Sequence, residues 1–254
     1  MRRFVTLIAA VAGLSGFSAA SLAAEVKILT AGAMKAVVLE LVPGFEKATG
    51  HKAVVDNDTT GGLLKRIEGG EAFDLAVITP AALKTLAGNG KVSASAESVA
   101  RVGVGVVVKE GAALPDISTV EAFKAALKNA KSVAYIDPDS GGTSGIYLVG
   151  LFGKLGIADD IKPKAKLKKG GYVADLIASG EAELGLHQIS EILPVKGVKL
   201  VGPLPAEIQS YTTYAAAVGT QAQQKDGAEA MLKLLAGPEA EPVLKTRGME
   251  RPPS

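Results

Sequence analysis

The chain has 254 residues, of which 48% are hydrophobic, 21% are charged and 4% are aromatic, and its formal net charge is +2 at pH 7. This length suits one large or two medium domains, and the apolar content excludes an intrinsically disordered chain. With no Cys and two His residues, the sequence excludes disulfides, iron–sulfur clusters, Cys nucleophiles and a lipid-modified N-terminal Cys, and we predict no metal site.

The N-terminus has the three zones of a secretory signal peptide. Arg2 and Arg3 form its positive end, an apolar stretch runs from Phe4 to Phe17, and the small residues Ser21 and Ala23 have the spacing of a cleavage site. The apolar stretch is shorter than the roughly 20 residues of a membrane span. We therefore predict a soluble exported protein. Loss of the two Arg residues makes the basic and acidic counts equal, so no basic nucleic-acid surface is expected.

The mature chain begins with repeated strand–turn–helix units. A buried strand is predicted over Val26–Leu29, and apolar residues at helical spacing predict a helix from about Met34 to Thr49, which Gly50 ends. Two more strand–helix units follow, in the segments HKAVVDND with LLKRIEGG and FDLAVIT with AALKTLAGNG. This alternation predicts an α/β fold with mainly parallel sheets.

A second block begins near the β-branched run VARVGVGVVVKEG, which is predicted to cross between lobes. Its predicted elements are the helix TVEAFKAALKNA, the strand SVAYID, the loop PDSGGTSG, the helices IYLVGLFGKLG and VADLIASG, and the strands EAELGLHQ and VKLVGPL. The tail then returns to the first block. We predict a signal peptide over 1–24, a first lobe over 25–105 and 208–254, and a second lobe over 106–207. We expect a hinge in the two crossing segments, near Gly103–Val106 and Ile208–Thr212.

Three turns that follow predicted strands are rich in small and hydroxyl residues. They are Ala31–Met34, Thr59–Gly62 and Ser140–Gly145. Free backbone N–H groups and the helix dipole make the start of a helix attractive to anions. One such turn is more often a simple N-cap. Three of them in an exported two-lobe chain predict an anion site beyond the carboxyl ends of the strands.

Other candidate groups carry less information. The Lys-rich run KPKAKLKKGG lacks interleaved aromatics, so a solvated surface is favoured over a nucleic-acid site. A lone His at a strand end, such as His187, is usually structural. The acidic pairs Glu181 with Glu183 and Asp159 with Asp160 are predicted to be solvated. No GxSxG, HExxH, P-loop or GxGxxG motif is present, so no cofactor is predicted and no catalytic residue is assigned firmly.

Five segments, in this order and spacing, resemble the type II periplasmic solute-binding proteins of ABC importers, in the branch that contains the molybdate-binding proteins. They are ILTAGAMKAVVLELVPGFEKATG, TTGGLLKRIEGGEAFDLAVIT, IDPDSGGTSGIYLVGLFGKLG, VADLIASGEAELGLHQISEI and LLAGPEAEPVLKTRGM. The resemblance implies two α/β lobes with a ligand cleft between them, a freely diffusing periplasmic monomer, a small anionic ligand and an ABC permease as partner. It implies no nucleic acid and no cofactor.

The resemblance also implies a ligand-binding set, with departures from the branch. Ala33 stands where the molybdate binders usually have Ser, Gln188 where they have a Tyr, and Glu191 where they have Asp. The lost Ser and Tyr donors favour a larger, flatter anion, such as a carboxylate, over a compact tetrahedral oxyanion. The expected set is Ala33, Met34, Thr59, Thr60, Gly61, Thr143, Ser144, Tyr172, His187 and Gln188.

A second resemblance keeps an enzyme open as the alternative. The segment PLPAEIQSYTTYAAAVG looks like a sub-branch of substrate-binding proteins, and aconitate isomerase is similar to this branch. An exported isomerase of an unsaturated polycarboxylate would need an anion cradle and a base. The available bases are His187, Tyr172 and Glu207, with His187 as the first choice.

Overall fold

A computed structural model describes residues 24–253 of the chain. Nearly all of the predicted signal peptide, residues 1–23, lies outside the described residues. Between residues 24 and 253, no helix is both long enough and apolar enough to cross a membrane.

The described residues form nine strands and ten helices. The strands are β1 (Glu25–Ala31), β2 (Lys52–Asp58), β3 (Leu75–Ile78), β4 (Glu97–Lys109), β5 (Val133–Ile136), β6 (Ala165–Lys168), β7 (Leu184–Gln188), β8 (Val198–Pro203) and β9 (Tyr211–Val218). The helices are α1 (Gly32–Thr49), α2 (Thr60–Glu68), α3 (Pro80–Gly88), α4 (Val120–Asn129), α5 (Thr143–Lys154), α6 (Ala158–Ile161), α7 (Ala174–Ala178), α8 (Ile189–Ile192), α9 (Lys225–Ala236) and α10 (Ala240–Thr246).

The strands follow the order β2-β1-β3-β9-β4-β7-β5-β6, and β8 also pairs with β4. The predicted α/β class is confirmed, and the sheet is mixed. β1 is parallel to β2 and β3, and β5 is parallel to β6 and β7. The strands β4 and β9 run antiparallel to their partners, because they carry the chain out of one half of the molecule and back into it.

Two separate hydrophobic cores define what we call lobe 1 and lobe 2. The core of lobe 1 contains buried residues from 26–102 and 214–249. Lobe 2 is built on clusters from 104–204 that cover the two faces of its strands. The chain changes core inside β4, between Val102 and Val104. The predicted lobe boundaries lie close to these changes and stay a prediction.

Helix α1 shows how the pattern of apolar residues produces the packing. Val37, Val38, Leu41 and Phe45 are all buried, at the spacing of one helix face. Gly50 ends the helix in the left-handed conformation, with φ 75°, and its N–H donates to the carbonyl of Glu46. The helix begins two residues earlier than predicted, at Gly32, so its N-terminus lies directly at the end of β1.

The Lys-rich run contains an element that the sequence pattern did not indicate. Residues Ala165–Lys168 form β6, which pairs with β5 at the edge of the sheet. Lysines are common on edge strands, where their charge discourages pairing with another chain. The run is therefore a solvated edge, with its Lys166 and Leu167 side chains exposed.

Candidate functional site

A cavity of about 380 Å³, counting the part open to solvent, lies between the two lobes. It is at the carboxyl ends of β1, β2, β5 and β7, where the turns of the mixed sheet converge. None of the side chains that line it is Lys or Arg. The lining residues are Ala31, Gly32, Ala33, Asn57, Asp58, Thr59, Thr60, Ile136, Gly142, Thr143, Ser144, Gly171, His187, Gln188, Glu191 and Tyr214.

Besides the four-residue helix α8, three longer helices begin at this cavity, and two of these three lack a side-chain cap. Helix α1 has 18 residues and α5 has 12, and their N-cap residues Ala31 and Gly142 supply no side-chain acceptor. Helix α2 caps itself, since Thr59 Oγ1 accepts a hydrogen bond from the N–H of Gly62 at 3.0 Å. The first N–H groups of an α-helix have no partner within the helix. The starts of α1 and α5 are therefore the cavity's natural anion contacts.

The two lobes touch beside the cavity through the Thr59 hydroxyl and through backbone atoms. Thr59 Oγ1 donates to the carbonyl of Ser140 at 2.5 Å, and the N–H of Gly61 donates to the carbonyl of Gly141 at 3.1 Å. A Cβ on Gly61 would lie 2.7 Å from the Cα of Gly141. The lobes are thus closed against each other, and the closure depends on a pair of glycines without side chains.

A chain of hydrogen bonds crosses the floor of the cavity. Tyr214 Oη donates to Gln188 Oε1 at 2.7 Å, and Gln188 Nε2 donates to Thr143 Oγ1 at 2.8 Å. Burial raises the pKa of Tyr214 further above its ordinary value, so its hydroxyl keeps its proton. This network fixes the orientation of the Gln188 amide and joins the return strand β9 to lobe 2.

A buried acid and a buried imidazole form the deepest part of the site. His187 is 1% exposed and Glu191 is 8% exposed, and His187 Nε2 lies 3.3 Å from Glu191 Oε2. His187 is near the end of β7 and Glu191 is on α8, four residues later, so the short helix turns the carboxyl back over the imidazole.

Burial controls the charge of this pair. It raises the pKa of Glu191 to about 8. Burial, together with the positive charge of Lys168, lowers the pKa of His187 to about 3. At pH 7 both side chains are therefore uncharged, with the proton on Glu191. His187 Nδ1 is buried and has no hydrogen-bond partner within the described residues.

The structure places seven of the ten predicted ligand residues on the cavity wall: Ala33, Thr59, Thr60, Thr143, Ser144, His187 and Gln188. The other three do not line it. The Met34 side chain is fully buried in the core of lobe 1, because it faces inward from the first turn of α1. Gly61 packs against Gly141, and Tyr172 lies beside Lys35, whose Nζ is 5.9 Å from the ring centroid. The candidate base Glu207 is exposed and also does not line the cavity.

The expected ligand set does not include four polar residues of the wall, namely Asn57, Asp58, Glu191 and Tyr214, although the resemblance had already drawn attention to Glu191. Asn57 and Asp58 are the last residues of β2, so the rule that ligands bind at strand ends could have found them. Glu191 follows His187 at the spacing of one helical turn. Tyr214 gave no local signal, because only the insertion of β9 between β3 and β4 brings it to the site.

Asp58 is the ionisable wall residue on lobe 1. Its Oδ1 accepts a hydrogen bond from the N–H of Thr59 at 2.7 Å, and its Oδ2 lies 3.8 Å from Arg66 Nη1. These contacts offset part of its charge. Between residues 24 and 253, no group of three or more His, Cys, Asp or Glu residues is placed to hold a metal ion.

Comparison with known proteins gives consistent relatives over the whole described chain. The family model described as "Bacterial extracellular solute-binding protein" matches residues 26–250. An aconitate isomerase from Pseudomonas sp is 31% identical over 234 residues, which cover 89% of this chain and 88% of that protein. The molybdate-binding protein ModA from Azotobacter vinelandii is 29% identical over 246 residues, 90% of this chain and 91% of the relative.

Solved structures show the same fold. The periplasmic molybdate-binding protein of Azotobacter vinelandii matches with a TM-score of 0.75 at 20% identity, over 90% of this chain and 100% of that one. The sulfate-binding protein SubI of Mycobacterium tuberculosis matches with a TM-score of 0.74 at 14% identity, over 90% and 87% of the two chains.

Proposed function

Because the chain belongs to the bacterial extracellular solute-binding protein family, we propose that it is the periplasmic binding component of an ABC importer and closes its two lobes around a small anion. The observation that carries this proposal is the pair of helix N-termini without a side-chain cap, α1 from lobe 1 and α5 from lobe 2, that lie at one cavity between the lobes. Each lobe supplies hydrogen-bond donors, and closure of the lobes brings both sets of donors around one anion. The exported monomer would then present the anion to a membrane permease.

The donors of the site suit an oxyanion or a carboxylate. Ser144 and Thr143, in the first turn of α5, supply hydroxyl groups at the cavity wall. The single proton of the Tyr214 hydroxyl is donated to Gln188. Backbone N–H groups and the hydroxyls of α5 can donate to the oxygens of either ligand class, so both classes stay in the proposal. The two lobes would hinge at β4 and at the segment before β9.

A thermal-shift screen of the chain without residues 1–24 tests this proposal. Molybdate, tungstate, sulfate, citrate and trans-aconitate are the probes. We expect at least one of them to raise the unfolding temperature by mass action. No response to any probe overturns the anion-binding function.

A matched pair of variants makes the screen specific for the cavity. Ala33→Asp adds a carboxylate in the first turn of α1, where Ala33 lines the cavity, and we expect it to abolish the shift by occupying the anion's place. Ala81→Asp makes the same change in the first turn of α3, at an exposed position away from the cavity, and should preserve the shift. Equal effects of the two variants would contradict a site at the start of α1.

The alternative function is an isomerase of an unsaturated polycarboxylate, and the His187–Glu191 pair is the observation that favours it. Allylic isomerisation removes a proton from one carbon and returns a proton to another. A neutral His187 can accept the first proton, a protonated Glu191 can deliver the second, and transfer from His187 to Glu191 restores the pair. The similarity to an aconitate isomerase supports testing it.

The enzymatic alternative predicts turnover of trans-aconitate or cis-aconitate, followed by chromatography. His187→Ala should abolish it, whereas His51→Ala, which changes the other His of the chain outside the cavity, should leave it intact. If the purified protein does not turn over either substrate at high protein concentration, the isomerase function is excluded.

A further inference from the structure

The carboxyl of Glu191 lies where lobe 2 meets the start of α1. Its Oε1 is 2.5 Å from the point that a Cβ on Gly32 would occupy, so the carboxyl lies against the first residue of that helix. Its Oε2 is 3.3 Å from His187 Nε2. The same carboxyl lines the cavity. Glu191 therefore occupies one of the two helix N-termini to which the proposed function assigns the anion.

No cationic side chain compensates a charge on Glu191 in the described part of the chain. The cations near the site have other partners: Lys168 pairs with Asp175 at 3.0 Å and Arg247 pairs with Glu40 at 2.6 Å. Lys35 lies beside the ring of Tyr172. The remaining titratable groups that face Glu191 are His187 and the hydroxyls of Tyr172 and Tyr214. Ionisation would thus place an uncompensated buried charge at the cavity wall, which is costly.

We propose that the His187–Glu191 pair makes anion binding depend on pH: while Glu191 is protonated the pair gives an uncharged hydrogen-bond donor to the anion, and once that proton is lost the carboxylate takes the anion's place at the start of α1. This inference rests on the proposed anion-binding function.

The hydrogen-bond chemistry of the pair supports this role. With the proton on Glu191, the carboxyl O–H donates to His187 Nε2, and the one N–H of the neutral imidazole is on Nδ1. That atom is buried and without a partner in the described residues, and His187 lines the cavity, so the proposal assigns this N–H to the ligand. Loss of the proton to solvent moves the imidazole N–H to Nε2, removes this donor and creates a carboxylate beside the helix N-terminus. An anion then loses a donor and meets a like charge.

Isothermal titration calorimetry across a pH series tests the inference. The probes are sulfate and trans-aconitate, both fully ionised above about pH 6.5. The wild-type affinity should be constant up to about pH 8. It should then fall about tenfold per pH unit, since binding is linked to one proton.

Two variants identify the group that titrates. Glu191→Gln keeps the size of the side chain and one donor to His187, so its affinity should stay flat across the series. Glu229→Gln removes an exposed acid outside the cavity that pairs with Lys225, and it should keep the wild-type pH dependence. Because Gln cannot ionise, we expect the first variant to fold at least as stably as wild type at high pH.

The outcomes separate this inference from the proposed function. Binding that is independent of pH in the wild type, or that falls equally in the wild type and in Glu191→Gln, overturns the role of the pair and leaves anion binding intact. Absence of binding by the wild type and both variants at every pH overturns the proposed function together with this inference.

Discussion

An anion site whose wall contains no Lys or Arg depends on partial charges and on the protonation of its acids. The N–H groups at the start of α1 and α5 carry only the partial charge of the helix dipole, which is worth about 0.3–1 kcal/mol at exposed sites and more when partly buried. A full negative charge on Glu191 would outweigh that attraction. The protonation of Glu191 therefore changes how strongly the wall attracts an anion, beside the second wall acid, Asp58.

The unfolding free energy should report the protonation of Glu191 without any ligand. Its ordinary pKa is 4.5, and burial raises it to about 8 in the folded protein. Between these two pH values the unfolded chain loses a proton that the folded chain keeps. The stability of the wild type relative to Glu191→Gln should therefore fall as pH rises from 4.5 to about 8 and then level off.

The slope of this dependence approaches about 1.4 kcal/mol per pH unit. Urea unfolding of the two proteins at several pH values measures it. Glu229→Gln, a change at an exposed helix position, is the control and should show no such trend relative to wild type. A constant difference between wild type and Glu191→Gln over this range would mean that Glu191 is ionised in the folded protein.

Residues of the site differ in how far the sequence could predict them. His187 and Gln188 end a buried strand and precede a short helix. The local pattern favours a structural role for such a His, and the resemblance rather than the pattern implies that Gln188 binds the ligand. Met34 was grouped with the site because the turn was treated as a unit, although its side chain faces the core. The pKa of Glu191 depends on its burial between two lobes, which no local pattern reveals.

At the scale of elements, the start of α2 and the loop before α5 are in direct contact across the two lobes. The N-terminal turn of α2 meets the loop before α5 at Gly61 and Gly141, where only backbone atoms fit. Gly141 has φ 75°, a backbone conformation that itself favours glycine, whereas Gly61 does not have a positive φ. Gly61 therefore allows a test of contact without backbone strain.

Gly61→Ala should weaken binding of the anion by about tenfold or more while each lobe stays folded. The added Cβ would lie 2.7 Å from the Cα of Gly141 in the closed protein, and backbone cannot move aside cheaply. Calorimetry measures the affinity. Small-angle X-ray scattering with saturating anion measures the radius of gyration, which we expect to be larger in the variant because its lobes stay more open. Gly44→Ala adds a methyl on α1 with nothing within 4 Å, and it should leave both unchanged. An unaltered affinity in Gly61→Ala would show that closure does not use this contact.

Elements that are defined by contacts between residues near in sequence could be predicted, whereas elements defined by contacts between distant residues could not. Helix α1 could be read from its apolar spacing and from Gly50, because both signals are local. The placement of β9 between β3 and β4 joins residues more than a hundred positions apart, so its antiparallel pairing was not foreseen. Strand β6 was missed for a similar reason, since its pairing with β5 rather than its composition makes it a strand.

At the scale of the whole molecule, the chain-wide resemblance to periplasmic solute-binding proteins is confirmed by the family match and by the shared fold. The order of strand-like and helix-like runs already predicts two lobes joined by crossing segments, and the resemblance implies the same architecture. Such a topology concentrates relative motion of the lobes in few covalent links. Here those links are β4 and the segment that leads into β9.

The Gln209 side chain joins these two links by hydrogen bonds. Its Oε1 accepts from the N–H of Val104 at 2.9 Å, and its Nε2 donates to the carbonyl of the same residue at 2.9 Å. Val104 is the first core residue of lobe 2 after the chain leaves lobe 1. The amide therefore fastens the return segment to the outgoing strand at the point where the chain changes lobe.

Removal of the Gln209 side chain should increase local opening of the two crossing segments without unfolding the core of either lobe. In Gln209→Ala the N–H of Val104 loses its side-chain acceptor, and we expect a loss of about 1–3 kcal/mol in unfolding free energy. Hydrogen exchange should accelerate at amides 103–106 and 209–212 while the core strands β1 and β3 stay protected. Gln223→Ala, an exposed change away from both crossings, is the control and should alter neither property. Unchanged exchange at the two segments in Gln209→Ala would place the hinge elsewhere, because a clamp that restrains a hinge must alter its local opening when it is removed.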